Sequence, residues 1–206
     1  PNDDALFVRN NNRDYYAQGI QTTIGLNFDS GIISHDVEVG FRYHKDEEDR
    51  FQWDDQYKMD NGIMMLTKAG TPGTQDNRIG DATALAGYLQ YRFGVGKLVA
   101  IPGVRYESIE LTRTDYGKAD PGRTGASVKV NSNQVDVWIP GIGIEYEFTP
   151  HVQAFAGIHR GFAPPGSSEG TDPEKSINYE VGSRINQNQF SAQGVIYFND
   201  YSNLLG

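Results

Sequence analysis

Strict two-residue alternation, sustained over stretches of ten or more residues, most limits what this chain can fold into. Ile20, Thr22, Ile24, Leu26 and Phe28 fall on one face, and Gly19, Gln21, Thr23, Gly25 and Asn27 on the other. Val37, Val39, Phe41 and Tyr43 oppose Glu38, Gly40, Arg42 and His44, and Gly87, Leu89, Tyr91 and Phe93 oppose Tyr88, Gln90 and Arg92. Five more segments follow, near residues 98–112, 138–148, 152–160, 178–185 and 190–201. This period belongs to β-strands and to no helix. Strands of a soluble sandwich average about five or six residues, whereas a strand crossing a bilayer at a tilt needs about 9–11. The pattern predicts about eight long antiparallel strands.

The connections alternate in length. Short turns are predicted at Asp29-Ser30-Gly31, Val95-Gly96-Lys97, Thr149-Pro150-His151 and Asn186-Gln187-Asn188, each carrying residues that tolerate tight-turn geometry. Long polar connections are predicted from Asp46 to Asp81, Thr114 to Asn133 and Ala163 to Ser176. Short turns at one end and long loops at the other are the arrangement of a membrane barrel, with the long loops outside the cell. Phe28, Phe93, Tyr146 and Phe148 lie beside short turns on the apolar face, where an aromatic girdle meets the membrane surface. Twenty-four glycines, twelve tyrosines and ten phenylalanines suit such a sheet. A net charge of −9 disfavours nucleic acid, which needs a basic footprint. The absence of cysteine excludes disulfides and thiolate metal sites. No secretory signal opens the chain at Pro1-Asn2-Asp3-Asp4, and it stops in mid-pattern at Asn203-Leu204-Leu205-Gly206, as an excised piece would.

Several motifs sit on this frame: Arg160-Gly161-Phe162-Ala163-Pro164-Pro165, Pro173-Glu174-Lys175-Ser176, Asn178-Tyr179-Glu180 and Gly182-Ser183-Arg184. Pro102-Gly103-Val104-Arg105-Tyr106-Glu107, Gly40-Phe41-Arg42-Tyr43-His44 and Tyr197-Phe198-Asn199-Asp200-Tyr201-Ser202-Asn203-Leu204 join them. In order and spacing they resemble the TonB-dependent outer-membrane receptors, most nearly the ferric-citrate-type branch. The resemblance implies an all-β fold: an antiparallel transmembrane barrel segment of about eight strands from a barrel of about 22. Residues 1–206 would be one partial barrel, without a plug domain or a C-terminal strand. It implies energy-coupled uptake of an iron chelate, ferric-citrate-like or a siderophore, in the outer membrane of a Gram-negative bacterium. The expected partners are the chelate, outer-membrane lipid and the TonB complex, the last through a missing N-terminal region. No enzymatic activity and no cofactor are expected.

An anionic chelate needs guanidinium forks and hydrogen-bond donors near the outer strand ends. The candidate ligand residues are Arg42, His44, Arg50, Trp53, Gln56, Arg78, Arg113 and Arg160, with Arg123 and Tyr57 nearby in sequence. Arg105/Glu107 and Arg184/Glu180 read instead as wall ladders. Asp46, Glu47, Glu48, Asp49, Asp54, Asp55 and Asp60 make the first loop acidic, which opposes an anion funnel. Oxygen-rich loops suit calcium, but the spacing and glycine of an EF-hand are missing, and a solvated loop is expected. His35, His44, His151 and His159 form no short-spaced metal pair.

Two other readings stay open. A complete eight-stranded barrel with an adhesive or hydrolytic role requires the strand near Ile20 to pair with the one near Val195. A soluble carbohydrate- or calcium-binding domain requires the Ile20/Ile24/Leu26/Phe28 face to be buried under a second sheet.

Overall fold

The computed structural model describes residues 6–203, so the terminal residues Pro1-Asn2-Asp3-Asp4 and Leu204-Leu205-Gly206 lie outside it. Ten strands form one sheet: β1 Leu6–Asn10, β2 Arg13–Ser30, β3 Ile33–Asp60, β4 Ile63–Lys68, β5 Asp76–Val95, β6 Leu98–Asp115, β7 Lys129–Thr149, β8 Val152–Ala163, β9 Glu174–Gln187 and β10 Phe190–Ser202. Every pairing is antiparallel, and β5 to β10 follow one another as neighbours. Among the described residues β2 pairs only with β3, and β10 only with β9. The sheet is therefore open, which removes the closed eight-stranded alternative.

The four predicted hairpin turns occur within a residue of their expected places. Gly31 and Gly96 take positive φ there, at 64° and 59°. The predicted loop from Asp46 to Asp81 is corrected. β3 runs on to Asp60, 28 residues in all, about 90 Å at roughly 3.3 Å per residue. It turns at Asn61-Gly62, both at positive φ, and returns as β4 before a short loop leads to β5. β1 and β2 run along one side of β3 in a single register, interrupted only at residues 11–12, and β4 and β5 run along the other.

Directly opposed residues share a face, so the register sorts the side chains. One face carries Ile24, Val39, Leu89, Val104, Pro140, Ile158 and Tyr179. Among the described residues nothing covers it: Ile20 is 65% exposed, Ile24 67% and Leu26 60%. That excludes a second sheet and the soluble domain. At its turn end Phe28 stacks on His35 at 4.5 Å, His35 on Tyr91 at 5.9 Å, and Tyr91 meets Phe93 at 5.3 Å. Tyr146 and Phe148 continue the belt edge to face at 4.9 Å. The expected girdle is present.

The opposite face, the lumen side of a barrel, is polar. Arg105 Nε lies 2.5 Å from Glu107 Oε1, as the sequence suggested. Arg184, expected to pair with Glu180, reaches instead toward Glu145, which Arg92 also holds at 2.7 Å. The path is open because Gly182 has no side chain: Phe155 packs over it and Arg184 stacks on that ring at 4.4 Å. Tyr88 occupies the same kind of space above Gly40 while donating to Glu38 at 2.6 Å.

The upper loops are tied down. Arg123 forks onto Asp49 at 2.5 and 2.8 Å, donates to Asn77 Oδ1 at 2.8 Å, and lies over the Phe51 and Tyr116 rings. Asp120 is buried and accepts from the Thr124 N–H, the Thr124 hydroxyl and the Gly125 N–H. Those backbone donors hold its carboxyl below the usual carboxylate range. Between β8 and β9, residues 164–173 are anchored by Asn133 Nδ2, which donates to the Gly166 and Thr171 carbonyls.

A depressed carboxyl contributes stability above the unfolded value, about 3.9, and loses it as pH falls through the folded value. Protease accessibility of residues 116–128 is therefore expected to stay low and flat from neutral pH to about 5 and to rise only in stronger acid; Asp120→Ala should raise it at neutral pH. Replacing Gly40 by Val drives a side chain into Tyr88 and is expected to cost about 1–3 kcal/mol in unfolding, against little for Gly25→Val, where nothing stands within 4 Å.

Candidate functional site

Four strands bring three arginines and an aspartate into one lumen-facing row. Arg13 on β2 stands opposite Arg50 on β3, Arg50 opposite Arg78 on β5, and Arg78 opposite Asp115 on β6. One step lower in the ladders come Tyr15, Glu48, Gly80 and Arg113 on the same face. Like charges directly opposed on a sheet repel, so the row persists only because carboxylates interleave with it. Glu48 lies 3.3 Å from Arg13 and 2.8 Å from Arg50; Asp76 lies 3.8 Å from Arg50 and 3.4 Å from Arg78. Asp115 holds Arg113 at 2.9 Å.

Compensation is incomplete. Arg113 Nε is buried without a hydrogen-bond partner among the described residues, whereas Arg50 Nε is buried against Glu48 Oε2 at 2.8 Å. Burial pushes the Arg78 guanidinium below its ordinary value; Asp76 pulls it back, while the charges of Arg113 and Arg50 push it further down. Burial alone would raise Glu48, yet hydrogen bonds from Arg50 and Tyr15 leave it below the usual carboxylate range. These groups border a cleft of 660 Å³, lined among others by Tyr15, Glu48, Arg78, Leu111, Arg113 and Ser167. Ser167 comes from the β8–β9 loop. Ile109, Val135 and Val137 are buried on the lumen face.

The predicted site residues divide. Arg78 and Arg113 line this cleft, and Arg50 stands beside it, opposite Arg78 in the ladder. Arg42 and His44 share its face but stand lower on β3, His44 with its Nε2 3.3 Å from Asp46. Trp53 and Tyr57 have the opposite parity from Arg50 on β3 and pair with β1 near its top, so neither walls the cleft. Gln56 has the lumen-side parity but sits six residues above Arg50, about 20 Å along the strand. Arg123 clamps its own loop. Arg160 is corrected most sharply: opposite Ile177 and two residues from Ile158, it stands on the outward apolar face. Its place beside the third long loop does not bring it to the cleft, because Gly161 and His159, not Arg160, have the inward parity.

Arg13 and Tyr15 were missed. The alternation that places Gly19 and Gln21 inward continues back through Ala17, Tyr15 and Arg13, and that signal was available. The acidic stretch reads differently too. Asp54 pairs with Arg9, Asp49 with Arg123, and Asp55 accepts from Asn10 and the Gly70 N–H. It is a matched lattice on strand β3 rather than a free acidic loop.

The chain matches the family described as TonB dependent receptor-like, beta-barrel over residues 2–206. It is similar in fold to the ferric citrate transporter FecA in its unliganded form, at 20% identity and a TM-score of 0.73, covering 93% of this chain and 28% of that one. It is likewise similar to the ferric-catecholate import receptor Fiu of E. coli K12 in its closed form, at 16% and 0.73, covering 93% and 32%. The siderophore receptor PiuA of Acinetobacter baumannii gives 15% and 0.72, covering 90% and 31%. The chain thus spans about a third or less of those proteins. An open antiparallel sheet with an apolar outer face, a charged lumen and tied-down upper loops fits that match along its whole length, and the chain belongs to the family of TonB-dependent receptor β-barrels.

Proposed function

We propose that this chain forms part of the ligand-binding wall of a receptor that takes up an anionic iron chelate across the outer membrane of a Gram-negative bacterium. The observation that carries the reading is the in-register arginine row, in which burial and neighbouring guanidiniums disfavour the charge on Arg78. A bound anion would relieve that repulsion, and the Arg113 Nε–H has no hydrogen-bond partner among the described residues. The surrounding carboxylates nearly balance the arginines. Selectivity would then come from donor geometry, not from a broad positive field.

Of the sequence candidates, Arg50, Arg78 and Arg113 are assigned to the ligand, joined by Arg13 and Tyr15. Arg42 and His44 would line the path below. Ferric citrate and siderophores are the ligands named for the structurally similar receptors, and a carboxylate-rich ferric chelate matches guanidinium forks best. The chain would supply binding and passage without bond chemistry. Energy coupling through the TonB complex would need parts of the protein beyond this segment.

Charge-assisted hydrogen bonds contribute about 1.5–3 kcal/mol each, so removing one fork should weaken capture about 10- to 100-fold. Binding of radio-iron ferric citrate to outer membranes carrying the whole receptor should fall by that factor in Arg78→Gln and Arg113→Gln. It should be unchanged in Arg160→Gln, whose side chain faces away from the lumen. Equal binding by wild type and the first two variants, with normal membrane insertion, would overturn the assignment.

A further inference from the structure

All the sulfur of this chain lies in one place. It has no cysteine, and its three methionines, Met59, Met64 and Met65, flank the Asn61-Gly62 turn that joins β3 to β4. Met59 and Met64 are directly opposed and share a face with the opposed pair Tyr57 and Leu66. Met65 stands on the other face, opposite Lys58. Met59 is 49% exposed, Met64 51% and Met65 46%, so solvent reaches every one of these side chains.

Little holds this tip. Among the described residues β4 pairs with β3 and with no other strand, and all six of its residues are exposed. β1 follows β3 only as far as Tyr57 there. The base of the hairpin is fastened: Thr67 Oγ1 donates to the Gln56 carbonyl at 3.2 Å, and the Gly70 N–H donates to Asp55 at 2.6 Å. The register slips at that same level, between Gln56 and Tyr57. Beyond it, the side-chain pairs Tyr57–Leu66, Lys58–Met65 and Met59–Met64 are what reinforces the backbone ladder. A two-stranded hairpin with no covering layer is marginal in water, so each such pair counts.

We infer that Met59, Met64 and Met65 form an oxidation site for peroxides, and that sulfoxide formation across the Met59–Met64 pair opens the β3–β4 tip. The step balances without a further reactant. A lone pair on the thioether sulfur attacks one peroxide oxygen, the O–O bond breaks, and the products of hydrogen peroxide are the sulfoxide and water. Sulfur loses two electrons and the peroxide gains them. The side chain turns from apolar to polar, and methionine sulfoxide reductases reverse the change. Two sulfoxide dipoles then face each other across the ladder where two apolar chains had packed, and water solvates them better than they solvate one another. The opening stops at the Thr67 and Gly70 anchors. Leucine would fill the same positions at nearly the same volume; methionine adds a sulfur that can be oxidised and reduced again.

The test uses the whole receptor, purified in detergent and treated with dilute hydrogen peroxide beside free methionine. Peptide mass spectrometry should find one added oxygen on each of Met59, Met64 and Met65, gained nearly as fast as by the free amino acid. Amide hydrogen exchange over residues 63–66 should then run about fivefold faster, the factor that corresponds to losing one favourable cross-strand pair. Exchange over residues 76–95 should stay slow. Methionine sulfoxide reductases A and B should restore the original exchange. A variant carrying Met59→Leu, Met64→Leu and Met65→Leu keeps the packing and should exchange slowly with or without peroxide. Methionines at these positions that stay reduced while the free amino acid is consumed would overturn the site. Oxidation without faster exchange, or equal acceleration in the leucine variant, would overturn the opening.

Discussion

Everything in this structure depends on the unbroken backbone ladder. A strand that crosses hydrocarbon has no water to satisfy its N–H and C=O groups, so each must find a partner on the next strand. The register runs without a shift from β3 through β5 along twenty residues of each, and β1 with β2 extends the same discipline on the other side. That continuity fixes which side chain faces lipid and which faces the lumen. A slip of one residue would send the arginines into the membrane and Ile24, Val39 and Leu89 into the channel.

The lumen follows from it. Because opposed residues share a face, Arg13, Arg50 and Arg78 cannot avoid one another, and Glu48, Asp76 and Asp115 stand where they can keep them charged. Lower down, Arg105 with Glu107 and Glu145 with Arg92 and Arg184 repeat the device, without the buried, unsatisfied nitrogen of the upper cleft. A wall pair is satisfied internally; in the upper cleft Arg113 Nε is buried without a hydrogen-bond partner among the described residues, beneath a loop fastened by Asn133.

Much of this was legible in the residues. Alternation set the two faces, Gly31 and Gly96 marked turns, and the aromatics near them marked a membrane edge. The first long loop was not read correctly because its acidic and polar composition hid the alternation that carries β3 to Asp60. A solvated strand above the bilayer has no need of an apolar face, so hydrophobic period fails there. The Asn61-Gly62 turn was the surviving clue. Arg13 and Tyr15 lie on the polar upper part of β2, where the parity carried back from Gly19 and Gln21 assigns them to the lumen side. Arg160 lies close to a loop in sequence, but parity decides the face and sets it with Ile158 and Ile177.

By itself, the sequence determined the strand class, the periodic faces and the short turns, and it offered Arg78 and Arg113, which line the cleft. Those follow from local backbone geometry, which every two residues repeats. Only the tertiary structure decided that Arg50, Arg78 and Arg113 are neighbours of Arg13, that Trp53, Tyr57 and Gln56 are not, that Asp49 and Asp54 are already paired, and that Arg160 looks toward lipid. Such facts depend on inter-strand register, set by the summed pairing of whole strands, and no local stretch of residues encodes that sum.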